Sequence, residues 1–152
     1  FEVRERLSAA GFKRQKEATR HLARIARGLP LVPDEIGAAD LPGEGELEAE
    51  AISFRKGCYL GQEVVARMHN VGKPQRRLFV VEGRGASPET PVDLSNETGK
   101  RVGQLRSAYP FSDAWRGVAL LKTRFIDEAS ILFAGDDPVT VLRALREVGE
   151  NA

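Results

Sequence analysis

The sequence takes on the pattern of a β-protein at Leu78-Phe79-Val80-Val81, an apolar run that Gly83 closes. A short continuous apolar run bounded by a turn residue is typical of a buried strand. Further apolar or alternating segments, separated by turn residues, lie at 91–94, 101–108, 117–122, 131–133 and 139–142. Five or six such strands predict a small antiparallel barrel or sandwich. Trp115 lies between Asp113 and Gly117, where we expect a turn.

Upstream of these strands, the spacing of the apolar residues is that of a helix. Ala18, Leu22 and Ile25 form one apolar stripe within residues 15–27. Gly28 follows at the position of a C-cap, and the sequence therefore predicts a helix that ends there.

Three further segments complete this coarse assignment. Short helices are expected over residues 2–10 and 63–71. Residues 28–50 are interrupted every few positions by proline or glycine, and we expect a loop there. The chain is therefore expected to be an α+β protein with two parts, residues 1–73 and residues 74–152.

The composition is that of a soluble globular protein. Hydrophobic residues make up 41% of the chain and charged residues 30%, and no apolar run approaches the roughly 18 residues of a membrane span. The first 27 residues have no apolar core of the kind found in secretory signals. A single cysteine excludes an internal disulfide and fits a reducing compartment. These features predict a cytoplasmic protein.

The net charge of +1 conceals blocks of opposite sign. Residues 1–27 contain eight bases and three acids, residues 28–53 seven acids and no base, and residues 54–84 seven bases and two acids. Such blocks predict local electrostatic surfaces. We expect a solvated acidic loop rather than a metal site in the second block.

The single cysteine, Cys58, lies in a loop with features of a reactive site. Gly57 and Gly61 on either side allow unusual backbone angles and close approach of a ligand. Lys56 favours the thiolate, and Tyr59 offers a ring for stacking. The alternative is a buried cysteine that only packs in a tight turn. Residue chemistry alone leaves the two interpretations about even.

The stretch AISFRKGCYLGQEVVAR, residues 51–67, resembles the signature of the YgfZ family through its core KGCYxGQE. The resemblance extends upstream to RIARGLP at 24–30 and downstream to GKPQRRL at 72–78. Members of this family are folate-binding proteins related to the aminomethyltransferase of the glycine cleavage system. The eight-residue core is far more specific than a glycine-rich pattern alone.

The resemblance implies both an architecture and a function. The chain would contain the end of an aminomethyltransferase-like, folate-binding α/β region followed by a small antiparallel β-barrel. The cofactor would be tetrahydrofolate, and the partners would be iron–sulfur client or assembly proteins. The catalytic positions implied are Cys58, Lys56 and Tyr59. The cofactor-binding positions implied are Arg24, Gly57, Gly61, Gln62, Glu63 and Arg67.

One position departs from the family pattern. Ala26 stands where the family often has glutamate, in the motif R-I-E-x-G. That carboxylate is a candidate acceptor for the amino and ring N–H groups of the pterin. Glu44 or Glu46 is the acid expected to take its place.

Two other functions compete with this interpretation. An aminomethyltransferase would have the same fold, but such enzymes lack the KGCYxGQE loop. A nucleic-acid binder would use the basic residues of 1–27 and 73–77. Such binding favours basic residues interleaved with aromatic ones, and Phe79 is the only aromatic residue near the second segment. We therefore expect no nucleic-acid partner and no membrane partner.

Overall fold

The structure, a computed structural model, describes residues 2–11, 13, 15–53, 74–127 and 130–146. Helix α1 spans Glu2–Ala9, α2 spans Glu17–Ala26 and α3 spans Glu48–Ala51, with a 3₁₀ turn at Pro42–Gly45. The strands are β1 Arg76–Arg84, β2 Val92–Ser95, β3 Arg101–Phe111, β4 Ala114–Lys122, β5 Ile131–Ala134 and β6 Asp137–Ala144. A second 3₁₀ turn, Thr123–Phe125, lies between β4 and β5.

The six strands close into an antiparallel barrel in the order β1-β4-β3-β2-β5-β6. The barrel prediction and the α+β class are therefore confirmed. Closure removes the free strand edges that would otherwise invite pairing with another chain. The expected helix at 63–71 and the expected division at residue 73 fall in or beside residues 54–73, outside the described residues, and both stay predictions.

The apolar residues form two cores on opposite sides of the barrel wall. Inside the barrel, Val81 and Leu105 are fully buried among ten clustered residues. Outside it, Leu78 and Val80 of β1 pack with Ile25 of α2. Because β1 is covered on both faces here, its central segment, residues 78–81, is continuously apolar rather than alternating.

Helix α2 ends as the sequence predicts. The amide of Gly28 donates to the carbonyl of Ile25, and the amide of Leu29 donates to that of Arg24. These two bonds form a Schellman motif, which needs a left-handed residue, and Gly28 has a φ of 69°. The helix end is thereby fixed against the barrel.

The expectation that Trp115 lies in a turn is wrong. The residue lies inside β4 and is only 3% exposed, in the barrel core opposite Gly83 of β1. The turn is shorter than predicted, because Ser112 adopts a φ of 58° and allows the strand to resume at Ala114. A β-carbon on Gly83 would lie 2.4 Å from the indole ring, so this glycine makes room for the tryptophan.

Candidate functional site

The cysteine loop lies outside the part of the chain that the structure describes. The predicted site residues Lys56, Gly57, Cys58, Tyr59, Gly61, Gln62, Glu63 and Arg67 all lie within 54–73, outside the described residues. Their roles stay predictions. Arg24 is the one predicted site residue that the structure describes.

Arg24 lies on α2 and forms a two-pronged ion pair with Glu35. Its Nη1 and Nη2 atoms donate to Oε2 and Oε1 of the carboxylate at 2.8 and 2.6 Å. The arginine also donates to the carbonyl of Leu29. Glu35 is 0% exposed, and its Oε2 accepts the amide of Leu31 at 2.8 Å. Arg24 therefore fixes the segment that follows α2 through its two Nη atoms, whereas its buried Nε has no hydrogen-bond partner among the described residues.

A β-bulge in β3 positions the third residue that hydrogen-bonds the Glu35 carboxylate, after Arg24 and Leu31. The register between β3 and β4 shifts between Leu105 and Ser107. Leu105 lies in the barrel interior, whereas the hydroxyl of Ser107 donates to Oε1 of Glu35 at 2.5 Å. Arg106 also reaches outward and donates to Asp40 at 3.2 Å. A bulge changes the direction of side chains in this way. Two consecutive residues, Arg106 and Ser107, therefore contact the segment that follows α2.

An aromatic pair borders this buried ion pair. The rings of His21 and Tyr109 stack with their centroids 4.3 Å apart and their planes 3° from parallel. Burial raises the pKa of the Tyr109 phenol, and the negative charge of Glu35 adds to that shift. The phenol is therefore held neutral beside the carboxylate.

Among the described residues, five of the seven acids in the acidic segment, residues 28–53, pair with arginines, contrary to the solvated loop expected from its charge. Its carboxylates pair with arginines that come mostly from the barrel. The pairs beyond Arg24–Glu35 are Asp40 with Arg76 and Arg106, Glu44 with Arg76, Glu46 with Arg77, and Glu50 with Arg146. The segment therefore docks on the barrel through ion pairs. Among the described residues, no cluster of histidine or acidic side chains could hold a metal ion.

These pairs bear on two of the sequence-based alternatives. Arg76 donates to both oxygens of Glu44 at 2.7 and 2.8 Å, and Arg77 is bonded to Glu46. Glu44 and Glu46 are therefore engaged with the barrel rather than free to replace the acid missing at Ala26. Arg76 and Arg77 are likewise not free to bind phosphates.

A polar groove lies where α2 ends against the end of β6. Its volume is about 400 Å³, and it is lined by Ala26, Arg27, Gly28, Arg143, Leu145 and Arg146. Ala26 is exposed in this groove, at the position where the family often has glutamate. Among the described residues, the groove is therefore lined by three arginines and by no acidic residue.

Sequence reasoning missed the groove and the Glu35–Ser107 contact. Ser107 lies 72 positions from Glu35, and Arg143 lies more than a hundred positions from Ala26. Neither pair leaves a local pattern in the sequence. The only available signal was the absence of any base among residues 28–53, which required partners from elsewhere in the chain.

Three comparisons relate this chain to known proteins. Residues 75–144 match the family model described as the C-terminal beta-barrel domain of CAF17. The chain is 32% identical over 123 residues to the tRNA-modifying protein YgfZ of Serratia proteamaculans, a match that covers 78% of this chain and 37% of that protein. The YgfZ protein of Klebsiella pneumoniae is 33% identical over 118 residues, with 74% and 36% covered. The chain thus spans little more than a third of the length of these relatives.

The fold is shared with a solved enzyme. The aminomethyltransferase T of the glycine cleavage system from Bartonella henselae aligns with a TM-score of 0.60 and 16% identity. The alignment covers 78% of this chain and 35% of the enzyme. At this identity the likeness concerns the fold. The sequence matches, and not this likeness, identify the chain as a member of the YgfZ family.

Proposed function

We propose that the protein containing this chain binds tetrahydrofolate and acts in the assembly or repair of iron–sulfur proteins. The observation that carries the proposal is the KGCYLGQE loop, residues 56–63, in a chain of the YgfZ family with an aminomethyltransferase-like fold. Cys58 would be the reactive group, as a nucleophile, a redox thiol or a transient iron ligand. One thiolate cannot hold a cluster alone, so any cluster contact is shared with a partner.

The described residues fit only part of such a cofactor site. The groove at Ala26 offers donors but no carboxylate for the N–H groups of a pterin, because the acids nearest to it are paired with arginines. Tetrahydrofolate binding in this proposal therefore depends on residues beyond the described ones. When bound, the cofactor would supply one-carbon chemistry.

The relatives are named tRNA-modifying proteins, and we propose that any effect of this protein on tRNA is indirect. A factor that maintains an iron–sulfur enzyme acting on tRNA would alter tRNA without touching it. The pairing of Arg76 and Arg77 with Glu44 and Glu46 supports this proposal, since it removes charges that would bind phosphates. Filter binding with tRNA at several salt concentrations tests it, because direct binding would weaken steeply with salt.

Calorimetry tests the cofactor. Tetrahydrofolate is titrated into the longest natural form of the protein and, separately, into this chain. Saturable one-to-one binding by the longer form supports the proposal, and absence of binding at millimolar ligand overturns it. Assays for one-carbon transfer on the same samples distinguish an accessory factor from an aminomethyltransferase.

Genetics tests the role of the thiol. The Cys58→Ser variant is expressed in cells that lack the protein, and iron–sulfur enzyme activities are measured in the extracts. We expect wild-type protein to restore these activities and the variant to fail, at equal protein levels. Full restoration by the variant would overturn the assignment of Cys58.

We also propose a cytoplasmic location, which the lone cysteine favours. Among the described residues, no helix is long and apolar enough to span a membrane.

A further inference from the structure

We infer that the groove between the end of α2 and the end of β6 is a binding site for an oxyanion, a carboxylate or a phosphate. The inference goes beyond the proposed folate function and does not depend on it. It rests on three arginines that line one groove and on how differently their charges are compensated.

Arg27 provides an available cation. The residue follows α2 directly and is exposed at the edge of the groove. Within the described ranges, with their gaps at 54–73 and after 146, its guanidinium has no hydrogen bond or ion pair. Its five N–H groups are therefore free for a ligand.

Arg143 provides a second cation whose charge is not neutralised. Its guanidinium donates to the carbonyls of Ala144, Leu145 and Ile25 at 2.9, 2.8 and 3.2 Å. Carbonyl groups orient the guanidinium but carry no net charge. Arg143 is therefore held in a fixed place with its full positive charge.

Arg146 contributes less to the field of the groove. It donates to Glu50 at 2.6 and 3.2 Å, and this bonding raises the pKa of Arg146 and lowers that of Glu50. The pair is close to neutral as a whole. Counted over the part of the chain that the structure describes, the groove therefore contains about two uncompensated positive charges, from Arg27 and Arg143.

The partial negative charge at the C-terminal end of α2 disfavours an anion in the groove, but it is too weak to prevent binding. A helix C-terminus is equivalent to roughly half a negative charge. Here its last carbonyls are bonded to the amides of Arg27, Gly28 and Leu29, and Arg143 covers that of Ile25. Two full cations outweigh this partial charge. Residues 18–26 of α2 contain no acid that could neutralise them.

Nuclear magnetic resonance of arginine side chains tests the site on this chain. The Nε–Hε signals are followed while phosphate or, separately, glutarate is added at constant ionic strength set with chloride. We expect saturable shifts of the Arg27 and Arg143 signals with a dissociation constant of about 1 mM. The phosphate arm represents a phosphorylated ligand, and the glutarate arm represents a carboxylate ligand such as a glutamyl group. Saturation in either arm supports the site and identifies the source.

Two matched variants separate a site from general charge screening. Arg27→Gln removes a proposed ligand, and Arg20→Gln removes an equal charge from the same helix, where Arg20 is 72% exposed. We expect Arg27→Gln to weaken binding about tenfold and Arg20→Gln to leave it unchanged. Shifts that grow linearly in both arms, or equal weakening by the two variants, would overturn the inference. Because this test uses no folate, its result is independent of the tetrahydrofolate titration.

Discussion

Arg24 donates hydrogen bonds to both carboxylate oxygens of Glu35, at 2.8 and 2.6 Å, and the glutamate is completely buried. The same carboxylate accepts a hydrogen bond from Ser107 on the barrel. One ion pair thus joins helix α2, the segment after it and strand β3. A buried ion pair is costly to break from one side, because the remaining charge has no solvent to compensate it.

We therefore expect Glu35→Gln to destabilise the protein by about 3 kcal/mol, since it leaves the Arg24 cation buried without a counter-charge. Glu17→Gln is the matched control, because Glu17 is 80% exposed. Its contacts with Arg20 and His21 are long, at 3.8 and 3.7 Å. That change should cost less than about 1 kcal/mol. Urea unfolding followed by circular dichroism measures both. Equal losses for the two variants would contradict the buried pair.

Gly117 keeps open the space that the β3 bulge needs. A β-carbon at Gly117 would lie 1.9 Å from the carbonyl oxygen of Ser107, a backbone atom that cannot turn away. We expect Gly117→Ala to cost about 2–3 kcal/mol and to displace Ser107 from Glu35. Gly99→Ala is the control, since its β-carbon would meet nothing within 4 Å and only its φ of 76° opposes it. That control should cost about 1 kcal/mol by thermal or urea unfolding. A loss for Gly117→Ala no larger than this would contradict the close contact.

Trp115 is the only tryptophan and therefore reports on the barrel core alone. Since it is 3% exposed, we expect blue-shifted emission in the folded protein and a red shift that coincides with loss of β-structure on unfolding. Gly83→Ala should red-shift the folded emission, because the new methyl group would occupy the place of the indole. Gly85→Ala, just beyond the end of the same strand, where nothing lies within 4 Å, should leave the emission unchanged. A red-shifted native wild-type spectrum would place Trp115 in solvent.

The sequence predicted what local patterns encode. Leu78-Phe79-Val80-Val81 is apolar because both its faces are buried, and Gly28 ends α2 because a Schellman motif needs a left-handed residue there. Trp115 was missed because the hairpin turn is compressed at Ser112, which no periodicity reveals.

The candidate site was harder to predict because it is built from distant residues. The acids of 28–53 were expected in solvent, yet five of the seven pair with described arginines up to 96 positions away, as Glu50 does with Arg146. Pairings at such separations are fixed by the tertiary fold and not by neighbouring residues. The cysteine loop is the opposite case, since its motif is local and its environment lies outside the described residues.

Tyr109 should make stability depend on alkaline pH. Its pKa is raised from the ordinary value of 10.0 by burial and by Glu35, so the folded state favours the neutral phenol. The resulting stability is fully present below the unfolded pKa and is lost as pH rises through the higher folded pKa. We expect Tyr109→Phe, which keeps the ring beside His21, to lose less stability than wild type between about pH 9 and pH 11. Urea unfolding at several pH values measures this, and identical pH profiles would contradict the raised pKa.

A substitution at Ala26 is expected to affect both proposed ligands, the oxyanion of the groove and tetrahydrofolate, in opposite directions. Ala26→Glu would place a carboxylate beside Arg27 and Arg143 in the groove and restore the acid of the family motif. We expect this variant to lose saturable phosphate binding, because the new acid neutralises the arginines, and to bind tetrahydrofolate more tightly in the longest natural form.

The control for this exchange is Thr19→Glu, which adds the same charge at an exposed position two turns earlier on α2. Both titrations should be unchanged in that variant, because the position lies outside the groove. If Ala26→Glu left phosphate binding intact, the oxyanion would have to bind elsewhere. If it abolished phosphate binding without improving tetrahydrofolate binding, the groove would be an anion site in which the family acid has no role in holding the pterin.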